Sequence, residues 1–370
     1  MRRALRYAQR GRGLTSPNPL VGAVLVKGGR LIGRGWHRQA GGPHAEIEAL
    51  RDAQKRGFTA AGATLYVTLE PCCTQGRTPP CTDALIAARL RRVVGGATDP
   101  NPRHAGRGFT LLERAGLIVT RDVLAAECGQ LNTAFNHWIV QRTPFVTVKA
   151  AMTLDGKIAT ARGESQWITG EPARAYGMEL RRDADAILVG INTILADDPR
   201  LTWRGPQAAT RHPKVLRRIV LDSQARTPLQ ARIVSDAQAV LTTIVVSRQA
   251  PRKRVAALAQ RVRVLVAPLQ KPVPHSSRAA LDLRWLLLRL GTENITHLLV
   301  EGGGEVNASF LLQRLAHRVA FFYAPKILGG RDARKAVGGE GARTLTEAIR
   351  LRDIHWRRLG DDLLLEAAVD

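Results

Sequence analysis

The 370-residue sequence has no long uninterrupted apolar stretch. A membrane-spanning helix needs about 20 consecutive apolar residues, so an integral membrane protein is excluded. The N-terminal sequence MRRALRYAQRGRG has the positive charge of a secretory leader, but Arg6, Gln9 and Arg10 interrupt the apolar stretch that should follow. We therefore expect a cytoplasmic protein without a membrane partner.

Cysteine is scarce, and its distribution argues against a secreted disulfide framework. The chain has only four cysteines: Cys72, Cys73 and Cys81 lie close together, and Cys128 stands apart. A disulfide framework would spread its cysteines so that they join distant segments. The clustering indicates a metal site or reactive thiols, and the isolated Cys128 is typical of a small buried apolar residue.

Aromatic residues make up only 5% of the chain, and lysine accounts for only nine of its 56 basic residues. The formal net charge is nonetheless +25, because the remaining 47 basic residues are arginines scattered along the whole sequence. Nucleic-acid-binding surfaces usually gather their cations in one patch and add aromatic side chains that stack on bases. The scatter indicates a solvated basic surface that would also favour an anionic small substrate, and no nucleic-acid partner is expected.

The length and an ordinary globular composition predict two domains. Strand-like and helix-like segments alternate in both parts, which is typical of the α/β fold class. The pattern breaks at Arg142-Thr143-Pro144, so we place domains at residues 1–143 and 144–370. Predicted strands cover residues 20–26, 31–36, 64–69, 92–97, 117–120, 145–150, 185–190, 217–222, 241–247, 262–267, 295–301 and 318–324. Predicted helices cover residues 45–54, 82–90, 107–115, 191–196, 281–290 and 305–315, and 248–280 is read as a surface excursion around one short strand.

One histidine and two cysteines are positioned to bind zinc in the first domain. His44 opens a predicted helix in Pro43-His44-Ala45-Glu46, Cys72 follows a predicted strand, and Cys81 precedes another helix. Three protein ligands leave the fourth zinc position for water, which ionises near neutral pH and becomes a nucleophile. Glu46, two residues from a ligand, is placed to move protons to a leaving nitrogen. This pattern partly matches the H-x-E and P-C-x-x-C signature of zinc deaminases, with a longer spacing between the cysteines.

Structural zinc is the main alternative for this cluster, with Cys73 as a fourth ligand. Adjacent cysteines at a helix start rarely reach one ion, so the catalytic interpretation is favoured. The loop between the two cysteine ligands also carries Arg77, which could pair with a phosphate.

Several longer blocks resemble one known enzyme family. The sequences SPNPLVGAVLV (16–26), GGPHAEIEAL (41–50), TLYVTLEPCCTQGRTPPC (64–81) and TDPNPRHAGRG (98–108) are similar to the deaminase half of bifunctional riboflavin-biosynthesis deaminase/reductases. The sequences VTVKAAMTLDGKIATARGESQWIT (146–169), DAILVGINTILADDPRLTWR (185–204) and LVEGGGE (299–305) are similar to the reductase half. The resemblance implies a cytidine-deaminase-like three-layer first domain and a dihydrofolate-reductase-like second domain.

The resemblance also implies the functional residues. The zinc ligands would be His44, Cys72 and Cys81, with Glu46 as the proton-transfer residue. NADPH would be bound by Ala151, Trp167, Thr193, Asp197, Ser223, Gly303, Gly304, Glu305, Val306, Asn307, Ala308 and Ser309. The substrate of the reductase would be held by Ser165, Arg181, Leu201, Arg204 and Glu301. Arginines suit the sugar phosphate by paired hydrogen bonds, and the glycine-rich turn before a helix suits the phosphates of a dinucleotide.

We therefore expect a two-step enzyme of flavin synthesis. Its first domain would deaminate a diaminopyrimidinone ribosylamine phosphate with zinc, and its second would reduce the ribosyl chain to ribityl with NADPH. We also expect a homo-oligomer. Two alternatives stay open from the residues alone: a nucleic-acid base deaminase with a fused accessory domain, and a non-catalytic zinc scaffold.

Overall fold

A computed structural model of the chain describes residues 1–75, 79–205, 214–270 and 280–370. It divides into two compact units, Met1–Arg142 and Thr143–Asp370. Arg77, considered above as a phosphate partner, lies outside the described residues. None of the described helices is long and apolar enough to cross a bilayer.

In the part of the first unit that the structure describes, five strands combine with six α-helices. Its strands are β1 (Gly22–Lys27), β2 (Arg30–Trp36), β3 (Thr64–Leu69), β4 (Arg92–Ala97) and β5 (Ile118–Thr120). Its helices are α1 (Arg2–Ala8), α2 (Ala45–Lys55), α3 (Cys81–Ala87), α4 (Arg107–Arg114), α5 (Ala125–Leu131) and α6 (Thr133–Gln141). The strands form one sheet in the order β2-β1-β3-β4-β5, in which β3, β4 and β5 run parallel.

Helices cover both faces of this sheet. Leu65 of β3 packs in one apolar cluster with Ala49 of α2, Leu85 of α3 and Leu112 of α4, so these three helices share one face. The adjacent residues Gly95 and Gly96 of β4 lie where helices approach the strand so closely that a side chain would clash. A Cβ at Gly95 would lie 2.3 Å from Phe109 of α4, and one at Gly96 would lie 2.4 Å from Cys128 of α5. Because successive strand residues point to opposite faces, α4 and α5 lie on opposite sides, which confirms the three-layer prediction.

The described residues of the second unit form eleven strands and six α-helices. Its strands are β6 (Phe145–Thr153), β7 (Lys157–Ala159), β8 (Ala186–Gly190), β9 (Arg217–Leu221), β10 (Thr242–Ser247), β11 (Arg263–Ala267), β12 (His297–Val300), β13 (Arg318–Ala324), β14 (Arg334–Lys335), β15 (Leu351–Leu359) and β16 (Asp362–Val369). Its helices are α7 (Glu171–Asp183), α8 (Ile191–Asp197), α9 (Arg232–Ser235), α10 (Arg252–Ala259), α11 (Leu283–Thr292) and α12 (Gly304–Leu312).

Nine of these strands form one sheet in the order β11-β10-β9-β8-β12-β6-β13-β16-β15, and β7 pairs separately with β14. The strands from β11 to β13 in this order are parallel. Beyond β13, β16 pairs antiparallel with β13, and β15 pairs antiparallel with β16. Ile187 of β8 belongs to one apolar cluster with Leu180 of α7, whereas its neighbour Leu188 belongs to a second cluster with Leu286 of α11. Both faces of the sheet are therefore buried, as expected for parallel strands joined by helices.

The predicted α/β class is confirmed, but several elements were not predicted, among them the helices α5, α6 and α7 and the two segments described next. The predicted surface excursion at 248–280 contains a regular helix, α10, whose Leu258 is buried. The hairpin of β15 and β16 was not predicted. The reason lies in β15, which is exposed at seven of its nine positions and therefore lacks the apolar alternation that reveals a strand.

Candidate active sites of the two units

In the first unit, two helix starts and one strand end bring His44, Cys72 and Cys81 together. His44 is the residue that precedes α2, Cys81 is the first residue of α3, and Cys72 follows β3. The Nδ1 atom of His44 lies 3.4 Å from the sulfur of Cys72 and 3.3 Å from that of Cys81. Among the described residues this cluster has three members, whose ligand atoms all lie within 4.8 Å of one another.

The donor set fits zinc. An imidazole nitrogen and two sulfurs are the donors that zinc prefers, and a tetrahedral ion would hold nitrogen and sulfur donors roughly 3.5 Å apart. A hydrogen bond from the Cys81 side chain, together with one from His44, lowers the pKa of Cys72 to about 4, so a thiolate is favoured there. The alternative fourth ligand, Cys73, directs its sulfur instead to Nδ1 of His104 at 3.5 Å. The geometry therefore matches the open three-ligand arrangement.

Glu46 lies beside this cluster in the first turn of α2. Its side chain is buried, and burial, followed by the charge of Cys72, raises its pKa to about 7. Glu46 lines a cavity of about 290 Å³ together with His44 and Cys72. A carboxylate at this place can hold and release a proton within reach of a molecule in the cavity.

Sequence reasoning assigned no role to several other residues of this cavity. Asn18, Asp99, Asn101 and His104 all line it. Asp99, Asn101 and His104 lie in the block 98–108 quoted above, so the resemblance marked this loop without assigning its side chains a function. Thr74 lines a different groove of about 530 Å³ on the surface of the same unit, beside Arg103 and Arg107.

The second unit has a large cavity of about 970 Å³ near the ends of β6 and β12. All five predicted substrate residues line it: Ser165, Arg181, Leu201, Arg204 and Glu301. Four of the predicted cofactor residues line it as well: Ala151, Trp167, Thr193 and Asp197. The structure thus gathers residues that are up to 150 positions apart in the sequence at one edge of the sheet, as expected for the carboxyl ends of parallel strands.

Glu301 is the electrostatic centre of this cavity. Arg181 donates two hydrogen bonds to its carboxylate, and Nζ of Lys149 lies 3.8 Å from Oε2. Burial would raise the pKa of Glu301, but the charges of Arg181 and Lys149 outweigh it and lower the pKa to about 2. A further nitrogen of Arg181 donates to the carbonyl of Thr202 at 3.0 Å. The paired hydrogen bonds expected from Arg181 to a phosphate are therefore made to Glu301 in this structure.

A second cavity of about 650 Å³ has the features of a dinucleotide site. It is lined by Gly303, Gly304, Glu305 and Val306 at the start of α12, and shares Thr193 with the first cavity. A Cβ at Gly304 would lie 2.3 Å from the carbonyl of Lys335, whereas nothing lies within 4 Å of a Cβ at Gly303. The backbone at Gly303 is therefore open to a ligand, and a helix N-terminus suits a phosphate.

The remaining predicted cofactor residues lie outside the lining of both cavities. They are Ser223, Asn307, Ala308 and Ser309. Asn307 is fully buried and donates a hydrogen bond to the carbonyl of Ala336, so it fixes a wall of the second cavity from behind. Ser309 donates to the carbonyl of Glu305 within α12. Sequence reasoning did not identify Arg334 and Lys335, which line the second cavity.

Comparisons with known proteins cover both units. The profile described as "RibD C-terminal domain" matches residues 144–365, and the one described as "Cytidine and deoxycytidylate deaminase zinc-binding region" matches residues 1–97. The chain is 43% identical to the riboflavin biosynthesis protein RibD of Actinobacillus pleuropneumoniae, over 100% of this chain and 94% of that protein. It is 41% identical to the RibD of Aquifex aeolicus, over 99% and 96% of the two chains.

Solved structures give the same result. RibD of Acinetobacter baumannii superposes with a TM-score of 0.86 at 34% identity, covering 100% of this chain and 97% of that one. A Thermotoga maritima protein described as a diaminohydroxyphosphoribosylaminopyrimidine deaminase/5-amino-6-(5-phosphoribosylamino)uracil reductase superposes with a TM-score of 0.84 at 33% identity, with the same coverage.

Proposed function

Because the chain belongs to the RibD family of bifunctional riboflavin-biosynthesis enzymes, we propose which of its residues carry the deamination and which the reduction. The protein is a zinc-dependent deaminase in its N-terminal part and a reductase in its C-terminal part. Its substrate is a diaminopyrimidinone ribosylamine phosphate, and residues 1–143 and 144–370 are the two catalytic domains. The observation that carries the deaminase assignment is the convergence of His44, Cys72 and Cys81 beside the buried Glu46.

In the deaminase half, His44, Cys72 and Cys81 hold the zinc ion. When bound, zinc acts as a Lewis acid that makes water a nucleophile near neutral pH. The reaction replaces the ring amino group by the oxygen of this water and releases ammonia. Glu46 takes the proton from the water and gives it to the leaving nitrogen through its carboxylate. Its burial keeps bulk water from exchanging that proton during the transfer.

The pyrimidine lies in the cavity of about 290 Å³, which Asn18, Asp99 and Asn101 line with polar groups. Such groups can pair with the donors and acceptors on the edge of the ring, whereas Leu69 and Trp138 supply apolar contacts. The cavity therefore combines the metal ligands and Glu46 with polar and apolar side chains that orient the ring.

In the reductase half, the substrate lies in the cavity of about 970 Å³. Ser165, Arg181, Leu201, Arg204 and Glu301 hold it, and Arg204 binds its phosphate. NADPH would be held along Gly303–Val306 and against Ala151, Trp167, Thr193 and Asp197, and when bound it would supply the hydride for the reduction of the ribosyl chain. Asn307 supports a wall of this site from behind, whereas Ser223, Ala308 and Ser309 lie outside the lining of both cavities and are given no contact with the cofactor. The ion pair of Arg181 with Glu301 fixes the floor on which the sugar rests.

We also propose a cytoplasmic homo-oligomer. All four cysteines are free, which is typical of proteins from reducing compartments. The edge strand β15 exposes Ile354 and Trp356, with 53% and 59% of their surfaces accessible, and an edge of this kind is commonly covered by another chain. Cell fractionation tests the location, and light scattering of the purified protein tests the assembly.

The experiment that tests the proposed function follows two products separately. The zinc-loaded protein is incubated with the pyrimidine ribosylamine phosphate, with and without NADPH, while ammonia and NADPH are measured. We expect ammonia in both samples and NADPH oxidation only after ammonia has been released. NADPH oxidation without ammonia release would show that the order of the two reactions is wrong.

A further inference from the structure

Glu70 occupies an unusual place between the metal cluster and a neighbouring loop. It follows β3 directly and precedes the ligand Cys72 by two residues. Its side chain is only 3% exposed. Glu70 lines the deaminase cavity beside His44 and Glu46, but the proposed mechanism gives its carboxylate no role, so its burial needs another explanation.

The Glu70 carboxylate accepts three hydrogen bonds from backbone N–H groups. Its Oε2 atom accepts from Asp99 at 3.1 Å and from Gly106 at 2.8 Å, and its Oε1 atom accepts from Gly108 at 2.7 Å. Asp99 lies at the start of the loop that leads from β4 into α4, and Gly106 lies at its end. Gly108 lies in the first turn of α4. Hydrogen bonds to a charged acceptor are shorter and stronger than neutral ones, so one carboxylate organises the whole loop.

The loop conformation is adapted to this carboxylate. Ala105 and Gly106 both have positive φ angles, 39° and 87°, at the point where the N–H of Gly106 donates to Oε2 of Glu70. A Cβ at Gly108 would lie 2.1 Å from the carbonyl of Pro71 and 3.1 Å from Oε1 of Glu70. The loop therefore packs tightly against the segment that carries Cys72.

The same loop forms one wall of the deaminase cavity. Asp99, Asn101 and His104 line it together with His44 and Glu46. Asp99 accepts from the backbone of Asn101 at 2.8 Å, and the backbone of His104 donates to the carbonyl of Asn101 at 2.8 Å. Hydrogen bonds within the loop thus stabilise its conformation. Its position relative to the metal cluster depends on its hydrogen bonds to Glu70.

From this arrangement we propose that Glu70 is a positioning residue of the deaminase half: it holds the Asp99–Gly108 loop at a fixed distance from the metal ligands and thereby sets substrate affinity. This inference rests on the proposed deaminase function. The hydrogen bonds of the Glu70 carboxylate go to the backbone of the loop, so its effect passes through the side chains that the loop carries. Because it is bonded to the loop and is covalently close to Cys72, it links the two sides of the cavity directly.

The test compares Glu70→Gln with the wild-type full-length protein. Glutamine has nearly the same size but only one acceptor oxygen, and its NH₂ group would face an N–H donor of the loop. We expect the variant to retain zinc and its reductase activity, to raise KM for ammonia release about tenfold or more, and to change kcat much less. Hydrogen exchange of the Asp99, Gly106 and Gly108 amides should accelerate. Glu113→Gln, at an exposed ion pair on α4, is the matched control and should leave all these quantities unchanged.

The outcomes separate the two hypotheses. If the wild-type protein releases no ammonia, the proposed function is wrong, and amide exchange still reports whether Glu70 anchors the loop. If Glu70→Gln lowers kcat at an unchanged KM, or leaves amide exchange unchanged, the positioning role is wrong. Should Glu70→Gln fail to fold or lose zinc, Gly108→Ala decides, since it displaces the loop while keeping the carboxylate. The proposal requires the same rise in KM from that variant, and a wild-type KM would overturn it.

Discussion

The guanidinium of Arg181 meets the carboxylate of Glu301 through two parallel hydrogen bonds, Nε to Oε1 at 2.8 Å and Nη2 to Oε2 at 2.9 Å. The two residues are 120 positions apart in the sequence. Their pairing joins α7 to the residue after β12 in the floor of the reductase cavity. It also leaves Lys149 and Arg181 balanced by one negative charge, which makes the site sensitive to the loss of that charge.

Replacing Glu301 by Gln should therefore disable the reductase selectively. The substitution keeps the size of the side chain but leaves Arg181 and Lys149 without their shared counter-charge. Removing one partner of a buried ion pair leaves the remaining charge uncompensated, which costs a large amount of free energy. We therefore expect kcat/KM for NADPH oxidation to fall about a hundredfold or more. Ammonia release by the same preparation is the internal control and should be unchanged. A reductase rate within a factor of about two of wild type would contradict the assigned role of Glu301.

Replacing Glu46 by Gln should abolish ammonia release. An amide of the same size cannot carry the proton from water to the leaving nitrogen, and loss of a general acid–base group typically costs about 10² to 10⁴ in rate. Zinc content and reduction of the deaminated intermediate should stay at wild-type levels. Ammonia release at the wild-type rate would show that another group moves the proton.

The three-ligand cluster predicts a difference between two adjacent cysteines. Cys72→Ala should lose zinc and ammonia release, because it removes one of three donors. Cys73→Ala is the matched control, and it should retain one zinc per chain, since the sulfur of Cys73 contacts His104 instead of the cluster. Elemental analysis of both purified variants measures this. Loss of zinc from the Cys73 variant would favour the four-ligand structural site.

The stability of the second unit should depend on pH through Glu293. Its carboxylate accepts hydrogen bonds from Arg217, Arg263 and Arg289. The hydrogen bond from Arg263, foremost, lowers the pKa of Glu293 to about 2, whereas an unfolded glutamate titrates near about 4.3. Because the folded pKa is the lower one, the stabilisation is complete above about pH 5 and is lost as the pH falls toward about 2.

Glu293→Gln should remove this contribution. The arginine partners are 39–50% exposed, so solvent screening limits it to about 1–2 kcal/mol at neutral pH. Urea unfolding of both proteins at pH 7 and at pH 3 checks the prediction, and the difference between them should shrink at the lower pH. A difference that is independent of pH would mean that packing, and not charge, gives Glu293 its effect.

Much of the deaminase site was predictable because its motifs are local. His44 and Glu46 share one helix start, and Cys72 and Cys81 bracket one loop, so residue type and spacing already indicate zinc chemistry. The wall formed by Asp99, Asn101 and His104 was not assigned, because nothing in a loop sequence states which side chains turn inward. That direction depends on the carboxylate of Glu70, which lies 29 residues before Asp99.

The reductase site shows the same division over longer distances. The blocks around Trp167, Asp197 and Gly303 indicated a dinucleotide site only through their joint resemblance to a family. Arg334 and Lys335 escaped notice because their short strand, β14, is defined by pairing with β7 and not by any apolar pattern of its own. Likewise, the helix at 252–259 was hidden in a stretch rich in arginine and buries mainly Leu258.

Sequence by itself determined the donor chemistry of the metal site and the α/β class of both parts of the chain. These properties are local, since they depend on residue type and on burial that repeats along a strand or helix. Tertiary structure decided which distant groups meet: Cys81 with His44, Arg181 with Glu301, and Glu70 with its loop. Such pairings depend on strand order and on buried charges that must find partners, and neither leaves a periodic trace in the chain.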